Sequence, residues 1–395
     1  MKNVTPDHIV WLVGDGLPPA RPMPPYSDVV CRFLGELSRD LLQNRANREF
    51  PDVAAFAFFC RRGNTEKLKE GFRDGRRRLG RGLAFHITPS NIPINFAFSL
   101  VFGLLAGNSN VVRVPTKDWP QVGIVCRAVR ELLTKPEYGE LAPLISMVRY
   151  ERSDEITAYF SGRCDARVIW GGDEAVSSVR KIPIPPRAVE LTFADRYSCC
   201  AISADAVLRA GEDELRRLAD AFYNDTFLVD QNACSSPSLI VWLGAQAQEA
   251  RGRFWPAVER SASRYRLEPA HATEKYTLLC DCLASGEDIR RVTMSGNLIY
   301  RAELSGVGGV EAYRGRLGVF FEYDAASIDE LAGCVTNKWQ TLSYYGLDAE
   351  ELAAFVTGGR LSGIDRIVPV GAALDIGVIW DGYDIVSVLS RIVSF

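Results

Sequence analysis

The chain has 395 residues, 47% of them hydrophobic and 24% charged, enough material for two or three packed domains and too apolar for a disordered polymer. Its 46 basic and 49 acidic residues leave a formal charge of −3, which argues against a general nucleic-acid binder or a protein held on anionic membranes. Ten scattered cysteines form no C-x-x-C pair and have only three histidines beside them, so no structural zinc or other metal site is expected.

From the amino terminus, Met1 to Ile9 lacks the basic start and apolar run of a secretion signal, and reduced thiols in a cytoplasm are the expected state. Over the first eighty residues Val29, Phe33, Leu34, Leu37, Leu41 and Leu42 recur at three-to-four spacing, which predicts amphipathic helix in a supporting layer. Lys67, Lys69, Arg73, Arg76, Arg77, Arg78 and Arg81 then make a strongly basic stretch. It reads either as a solvated helix face and turn or as a dock for a phosphorylated ligand or an acidic carrier protein.

Leu83 to Ile87 predicts a short buried strand, Thr88 to Asn91 a turn, Pro93 to Leu105 a helix ended by Gly107, and Asn110 to Val114 a second strand. Such a β-α-β unit implies a parallel sheet with a ligand at the carboxyl edge of its strands. The apolar run Ile92 to Gly107 is broken by Pro93, Asn95, Ser99 and Gly103, too short and too polar to span a bilayer, and reads as a buried helix. His86, inside the first strand, reads as a buried, satisfied histidine, with a proton donor as the alternative. The pattern returns as strand Ala166 to Trp170, tight turn Gly171-Gly172, helix Asp173 to Lys181 and, after a proline cluster, strand Ala188 to Thr192.

A second region begins near Asp195, with helix Glu212 to Tyr223, the polar loop Asp230 to Pro237 and strand Ser238 to Trp242. Small polar residues surround Cys234 where a packing cysteine would have Val, Leu or Ile, so its thiol is expected on a turn entering a short helix or strand. Backbone N–H groups at a helix start lower a thiol pKa and can hold an oxyanion, which makes Cys234 a candidate covalent nucleophile; the alternative is an inert cysteine in a polar loop. Farther on, Leu317 to Tyr323 reads as strand, Ser327 to Asn337 as helix and Gln340 to Tyr345 as strand. The strand-rich tail, Arg366 to Phe395, is expected to pair back onto the first domain or a neighbouring subunit.

Three separated blocks resemble motifs of the aldehyde dehydrogenase superfamily, in the same order: Thr88-Pro-Ser-Asn91-Ile-Pro93, the strand end Gly107-Asn108 through Arg113 to Lys117, and Cys234 within Gln231-Asn-Ala-Cys. Within it, Arg81 to His86, Leu104 to Asn108, Trp170 to Asp173, Asp230 to Pro237, Gln340-Thr341 and Trp380 to Gly382 resemble the LuxC-type acyl-CoA reductases, over nearly the whole chain from about Asp28. The resemblance implies an α/β, aldehyde dehydrogenase-like fold with two Rossmann-like parallel-sheet domains. Residues 1–195 would bind cofactor, with a helical layer at their amino end, 196–365 would carry the nucleophile, and 366–395 would be a strand-rich oligomerisation tail.

By the same resemblance Cys234 attacks a thioester, expels the coenzyme A thiolate and holds an acyl group that hydride reduces to an aldehyde. Asn91 matches the amide that, with the Cys234 N–H, stabilises the oxyanion, or else caps a turn. Glu190 falls where hydrolytic relatives keep a general base; here it handles a thiol or aldehyde proton, or serves only as an ion-pair partner. Arg113 matches a ribose-binding lysine, and Thr116 stands where NAD-preferring members have a glutamate, so Thr116 flanked by Arg113 and Lys117 favours NADPH through its 2′-phosphate. The bland alternative leaves both cations facing solvent. Gly171 and Gly172 match a turn that admits the pyrophosphate.

The implied protein is a cytoplasmic homo-oligomer that takes its acyl group from acyl-CoA, a carrier protein or an acyl-transferring enzyme, with no nucleic acid and no membrane span. Its rivals are a coenzyme A-acylating aldehyde dehydrogenase running oxidatively, a nicotinamide-independent cysteine acyltransferase or thioesterase, and a non-catalytic subunit.

Overall fold

Among the residues that the computed structural model describes, 8–72, 74–285 and 288–395, short apolar strands alternate with helices in two compact units. One unit comprises Met1–Ala194 with Tyr383–Phe395, the other Asp195–Gly382.

The strands of the first unit are β1 (Val10–Val13), β2 (Arg78–Gly80), β3 (Leu83–Ile87), β4 (Ser109–Arg113), β5 (Ile145–Arg149), β6 (Ala166–Trp170) and β7 (Val189–Phe193). Six form a sheet in the order β1-β5-β4-β3-β6-β7, parallel throughout except for β1, which runs antiparallel to β5. β3 and β6 are buried at every residue, as parallel strands covered on both faces must be. The edge strand β1 falls inside the stretch expected to be helical; with four residues it is too short to show a period.

The helices are α1 (Asp28–Gln43), α2 (Pro51–Phe59), α3 (Arg62–Gly71), α4 (Asn95–Leu105), α5 (Pro120–Leu133), α6 (Asp154–Ser161) and α7 (Asp173–Arg180). Every residue of α4 is buried, because it packs on β3 and β4 and is covered by α1, the expected supporting layer. A helix apolar on all sides is stable only when enclosed in this way, and each buried phenylalanine contributes roughly 2–3 kcal/mol. β2 lies outside the large sheet and pairs with the terminal strand Ser390–Ile392.

The second unit holds β8 (Tyr197–Ser203), β9 (Leu239–Leu243), β10 (Ile289–Ser295), β11 (Ile299–Leu304), β12 (Val319–Ala325), β13 (Trp339–Tyr345) and β14 (Arg366–Pro369), in the order β10-β11-β12-β9-β8-β13-β14. Only β10 is antiparallel to its neighbour. The period of two divides its residues between two cores: Cys199, Ala201, Leu239 and Val241 enter one, and Cys200, Ile202, Ile240 and Trp242 the other. Its helices are α8 (Ala204–Arg209), α9 (Glu212–Asp225), α10 (Ala247–Ala262), α11 (Pro269–Ser285) and α12 (Ala349–Gly358).

Two expectations change. The helix expected over Ser327 to Asn337 shrinks to one 3-10 turn, Ile328–Leu331, capped by Ser327; Gly333 and the β-branched Val335 and Thr336 beyond it are poor helix formers. The tail expected to leave at Arg366 first adds β14 to the second sheet, where Thr341 pairs with Arg366 and the Arg366 guanidinium donates to the Ala373 carbonyl at 3.0 Å. The part belonging to the first unit starts at Tyr383.

Candidate active site

In the first unit the connection from β3 runs to β4 on one side and that from β6 runs to β7 on the other. Divergence of this kind marks the carboxyl ends of β3 and β6 as the place where a doubly wound sheet receives a ligand. The loop after β3 carries Asn91, which is exposed and forms no side-chain hydrogen bond among the described residues. α4 has Ile94 at its N-cap and no side-chain cap, so the turn-capping alternative for Asn91 finds no support.

After β6, Gly171 donates its N–H to the Phe193 carbonyl at 3.1 Å and Gly172 is the N-cap of α7, which also lacks a side-chain cap. A Cβ on Gly172 would meet nothing within 4 Å, so the backbone is open there. The first turn of α7 carries Asp173 and Glu174, whose charges oppose an anion at that end.

At the end of β4 the expected trio separates. Arg113 is half-buried, with its guanidinium 4.6 Å from the centre of the Tyr150 ring and Nη2 donating to the Tyr150 carbonyl at 3.2 Å, while Nε has no partner among the described residues. Thr116 lies within 3.2 Å of the Ser90 hydroxyl, and Lys117 is exposed with Nζ 3.9 Å from the centre of the Trp119 ring. Arg113 is therefore committed to Tyr150, and Lys117 is the more available of the two cations. Ser90, which the sequence reading missed, ties this edge together: its carbonyl accepts the Trp119 indole N–H at 2.9 Å.

Behind these loops a directional chain of bonds crosses the core. Trp170 Nε1 donates to Ser99 at 3.0 Å, Ser99 meets His86 Nδ1 at 2.8 Å, and His86 Nε2 meets Asn110 Oδ1 at 3.0 Å. Burial drives the His86 pKa down to about 4, with the Asn110 bond opposing, so the ring is neutral near pH 7 and the buried reading holds. A Cβ at Gly103 would lie 1.9 Å from Asn110 Oδ1, which is why the helix carries glycine there. Asn108 of the glycine-asparagine motif is equally structural: Oδ1 accepts the N–H of Arg81 and Gly82, and Nδ2 donates to the Leu389 carbonyl at 2.9 Å.

Glu190, on β7, is bound at both oxygens. Arg167 Nε donates to Oε2 at 2.6 Å and Arg180 Nε to Oε1 at 3.0 Å, with Arg167 itself buried and also bonded to the Ile182 carbonyl. Of its two sequence alternatives, the ion-pair partner is the one this geometry supports.

The basic stretch is divided. Lys69 pairs with Asp28 and Arg78 with Asp74, while Arg81 Nε donates to the Val388 carbonyl at 2.6 Å and Arg77 covers Phe395. Lys67 and Arg76 are exposed, and Arg73 lies outside the described residues.

In the second unit Cys234 occupies a turn that leads into β9, at the amino edge of the sheet. Asp230 and Gln231 both take positive φ, 54° and 56°, a conformation that non-glycine residues hold only when their surroundings fix it. The fixing bonds are present. Tyr265 donates to Asp230 Oδ1 at 2.6 Å, the Leu317 N–H to the Asp230 carbonyl at 3.1 Å, and Gln231 spans Pro237, Val319 and Gly318. Ser198 donates to the Cys234 carbonyl at 2.7 Å and Ser236 to the Asp225 carbonyl at 2.7 Å.

No helix starts at Cys234, which corrects the expected source of thiol activation. Cys234 keeps partial exposure, yet the protein packed around its sulfur pushes the thiol pKa up; Arg314 and the Arg196 N–H oppose the shift, and Asp195 and Asp381 add to it. The net direction is upward, so the resting thiol is protonated near pH 7. Arg314 Nη2 lies 4.0 Å from Sγ, and its Nη1 donates to Asp195 at 2.5 Å. Arg196 in turn meets Asp365, Asp381 and the Trp339 carbonyl, and Gln340 bonds Asp381.

Arg314, Asp195 and Arg196 were not legible as site residues. The only hint lay in Gln340-Thr341 and Trp380 to Gly382, which meet here through Asp381. By contrast Cys60, Cys126, Cys164, Cys199, Cys200 and Cys282 are buried, and desolvation raises the pKa of each. Among the described residues no cluster of three His, Cys, Asp or Glu could hold a metal ion, and no helix is long and apolar enough to cross a membrane.

A family model described as acyl-CoA reductase (LuxC) matches residues 34–271. No curated protein matches the chain. Solved structures share its fold: an NAD-dependent benzaldehyde dehydrogenase from Corynebacterium glutamicum is 14% identical, with 93% of this chain and 84% of that chain covered at a TM-score of 0.63. An indole-3-acetaldehyde dehydrogenase in complex with NAD+ is 11% identical over 93% of this chain and 82% of that one, with a TM-score of 0.64. A 3,6-anhydro-L-galactose dehydrogenase in complex with NAP is 13% identical over 87% and 78%, with a TM-score of 0.60. The two parallel-sheet units thus form an aldehyde dehydrogenase-like fold.

Proposed function

Since this chain belongs to the acyl-CoA reductase (LuxC) family, we propose that it reduces an acyl thioester to an aldehyde with NADPH, through an acyl group held on Cys234. The observation that carries the reading is Cys234 itself, partly exposed on a loop locked at positive φ, with a guanidinium 4.0 Å from its sulfur.

The chemistry divides into two exchanges at one carbon. The Cys234 sulfur attacks the thioester carbonyl, a carbon–sulfur bond forms, and coenzyme A, or the thiol of an acyl-carrying protein, leaves with the electron pair of the bond it loses. The negative charge that gathers on the carbonyl oxygen needs donors, and Asn91 with the Cys234 backbone N–H is the proposed pair. A nicotinamide, when bound, would supply hydride to the acyl carbon, and the Cys234 sulfur would leave with the electron pair of the carbon–sulfur bond as the aldehyde forms. Glu190 has no step, since both its oxygens are engaged by arginines.

The cofactor end rests on the carboxyl edge of the first sheet. The uncapped Gly171-Gly172 turn suits a pyrophosphate, with the acidic first turn of α7 as a counter-argument. Thr116 and Lys117 would hold the 2′-phosphate, while Arg113, drawn onto Tyr150, supports the strand end and not the phosphate.

The test is direct. Incubation with acyl-CoA in the absence of reductant should add the acyl mass to the peptide containing Asp230 to Pro237, and addition of NADPH should discharge it as aldehyde. A label on Cys199, Cys200 or Cys280 would overturn the assignment.

A further inference from the structure

Resting on the reading of Cys234 as nucleophile, we infer that Arg314 is a catalytic residue that holds the Cys234 sulfur as an anion, its guanidinium fixed by Asp195. The two nitrogens of one planar fork divide the work: Nη1 donates to Asp195 at 2.5 Å and Nη2 stands 4.0 Å from Sγ. A lysine has no such fork, and would have to choose between the carboxylate and the sulfur.

The groups around the sulfur single out Arg314. Arg314 and the Arg196 backbone N–H favour an anion at this sulfur, and the carboxylates of Asp195 and Asp381 oppose it. The Arg196 guanidinium is taken by Asp365, Asp381 and the Trp339 carbonyl, and Asp381 is further bonded by Gln340. Arg314 is thus the cation whose second nitrogen is turned to the thiol. Packing resists ionisation at this position, so a reactive sulfur needs a dedicated counter-charge.

The role follows the electron pair. Ionisation sends the thiol proton to water and leaves a thiolate beside Arg314. Attack places that pair in the carbon–sulfur bond and removes the charge. Departure of the aldehyde returns the pair to Sγ, where Arg314 meets it again as an anion. Arg314 therefore acts at both ends of the cycle, whereas an oxyanion donor acts only between them.

The experiment follows the pH dependence of iodoacetamide alkylation at Cys234 in the full chain, between pH 6.5 and 10.5, read from the mass of the peptide carrying it. In Arg314→Met the midpoint should rise by about one unit or more, slowing alkylation at pH 7.5 by about ten-fold. Arg314→Lys should recover part of the loss, and gives a second reading should the methionine variant fail to fold. Arg316→Met removes the same charge two residues away, from an exposed side chain near Glu274, and should leave the midpoint in place. An unmoved midpoint in Arg314→Met, or an equal shift in Arg316→Met, overturns the inference. Its failure is separable from failure of the nucleophile: an acyl label elsewhere removes Cys234 whatever the midpoint does, and an acyl label on Cys234 with an unmoved midpoint removes only Arg314.

Discussion

The two sheets carry their candidate chemistry at opposite edges. In the first, Asn91, Thr116, Lys117 and the Gly171-Gly172 turn follow the carboxyl ends of β3, β4 and β6, on open loops with few internal bonds. In the second, Cys234 precedes the amino end of β9, its carbonyl bonded by Ser198 near the start of β8, within a dense set of bonds that includes Gln340 to Asp381. The first arrangement is what parallel-sheet topology dictates for a ligand that must enter and leave. The second is what a covalent nucleophile needs, since its sulfur must be held in place through a bond-making step. A topological rule finds one edge and is silent about the other.

The contrast can be broken most sharply at the nucleophile. Cys234→Ala should reduce aldehyde formation to below about one-thousandth of the unmodified rate, as loss of a covalent nucleophile does, while NADPH binding by titration stays within a few-fold. Turnover that survives this change would leave the locked loop without its chemistry.

Next in size is Asn91→Ala. It should lower turnover about 100- to 1,000-fold with the melting temperature unchanged, because the exposed amide forms no hydrogen bond among the described residues. A fall in melting temperature with turnover intact per folded molecule would restore a structural role.

The open edge is tested by Thr116→Glu, which sets a carboxylate where the 2′-phosphate is proposed to sit. kcat/KM for NADPH should drop about 10- to 100-fold, some 1.4 to 2.7 kcal/mol, with NADH spared. Equal losses with both cofactors, or an unmodified enzyme that already prefers NADH, would show that Thr116 and Lys117 do not read the phosphate.

The smallest effect on turnover is expected at Glu190→Gln, with rate per folded molecule within a few-fold and stability lowered by up to about 3 kcal/mol, since buried Arg167 loses its carboxylate. Denaturant unfolding beside steady-state rates separates the two. A large loss of rate at full stability would return Glu190 to the reaction.

Much of the first unit was legible because its signals are local. The run from Leu83 to Ile87 is buried on both faces, and the run from Asn95 to Leu105 is a helix buried on all sides; each kept its identity to within a residue or two. Cys234 stood out for the same reason, by the polarity of its immediate neighbours. Arg314 did not, because the bond that gives it meaning joins residues 80 positions apart and leaves no period or composition behind. The helix expected at Ser327 to Asn337 stopped after one turn, since Gly333, Val335 and Thr336 do not favour extending it. Arg113 falls at a strand end as expected, and nothing in the sequence announces that Tyr150 sits beside it.

The first unit also closes late. Its strand β2 pairs with Ser390–Ile392, Arg81 donates to the Val388 carbonyl, and Asn108 donates to that of Leu389, so one strand and two donors beside the entry to β3 wait for residues 388–392. During synthesis the whole of Asp195–Gly382 must emerge first, a delay of roughly ten to forty seconds at about 5–20 residues per second. For that interval the nascent first unit presents β2 as a bare edge, with the Arg81 guanidinium and the Asn108 amide N–H still lacking the Val388 and Leu389 carbonyls, an open template for wrong pairing. Proteolytic removal of residues 384–395 would return the folded protein to that exposed state.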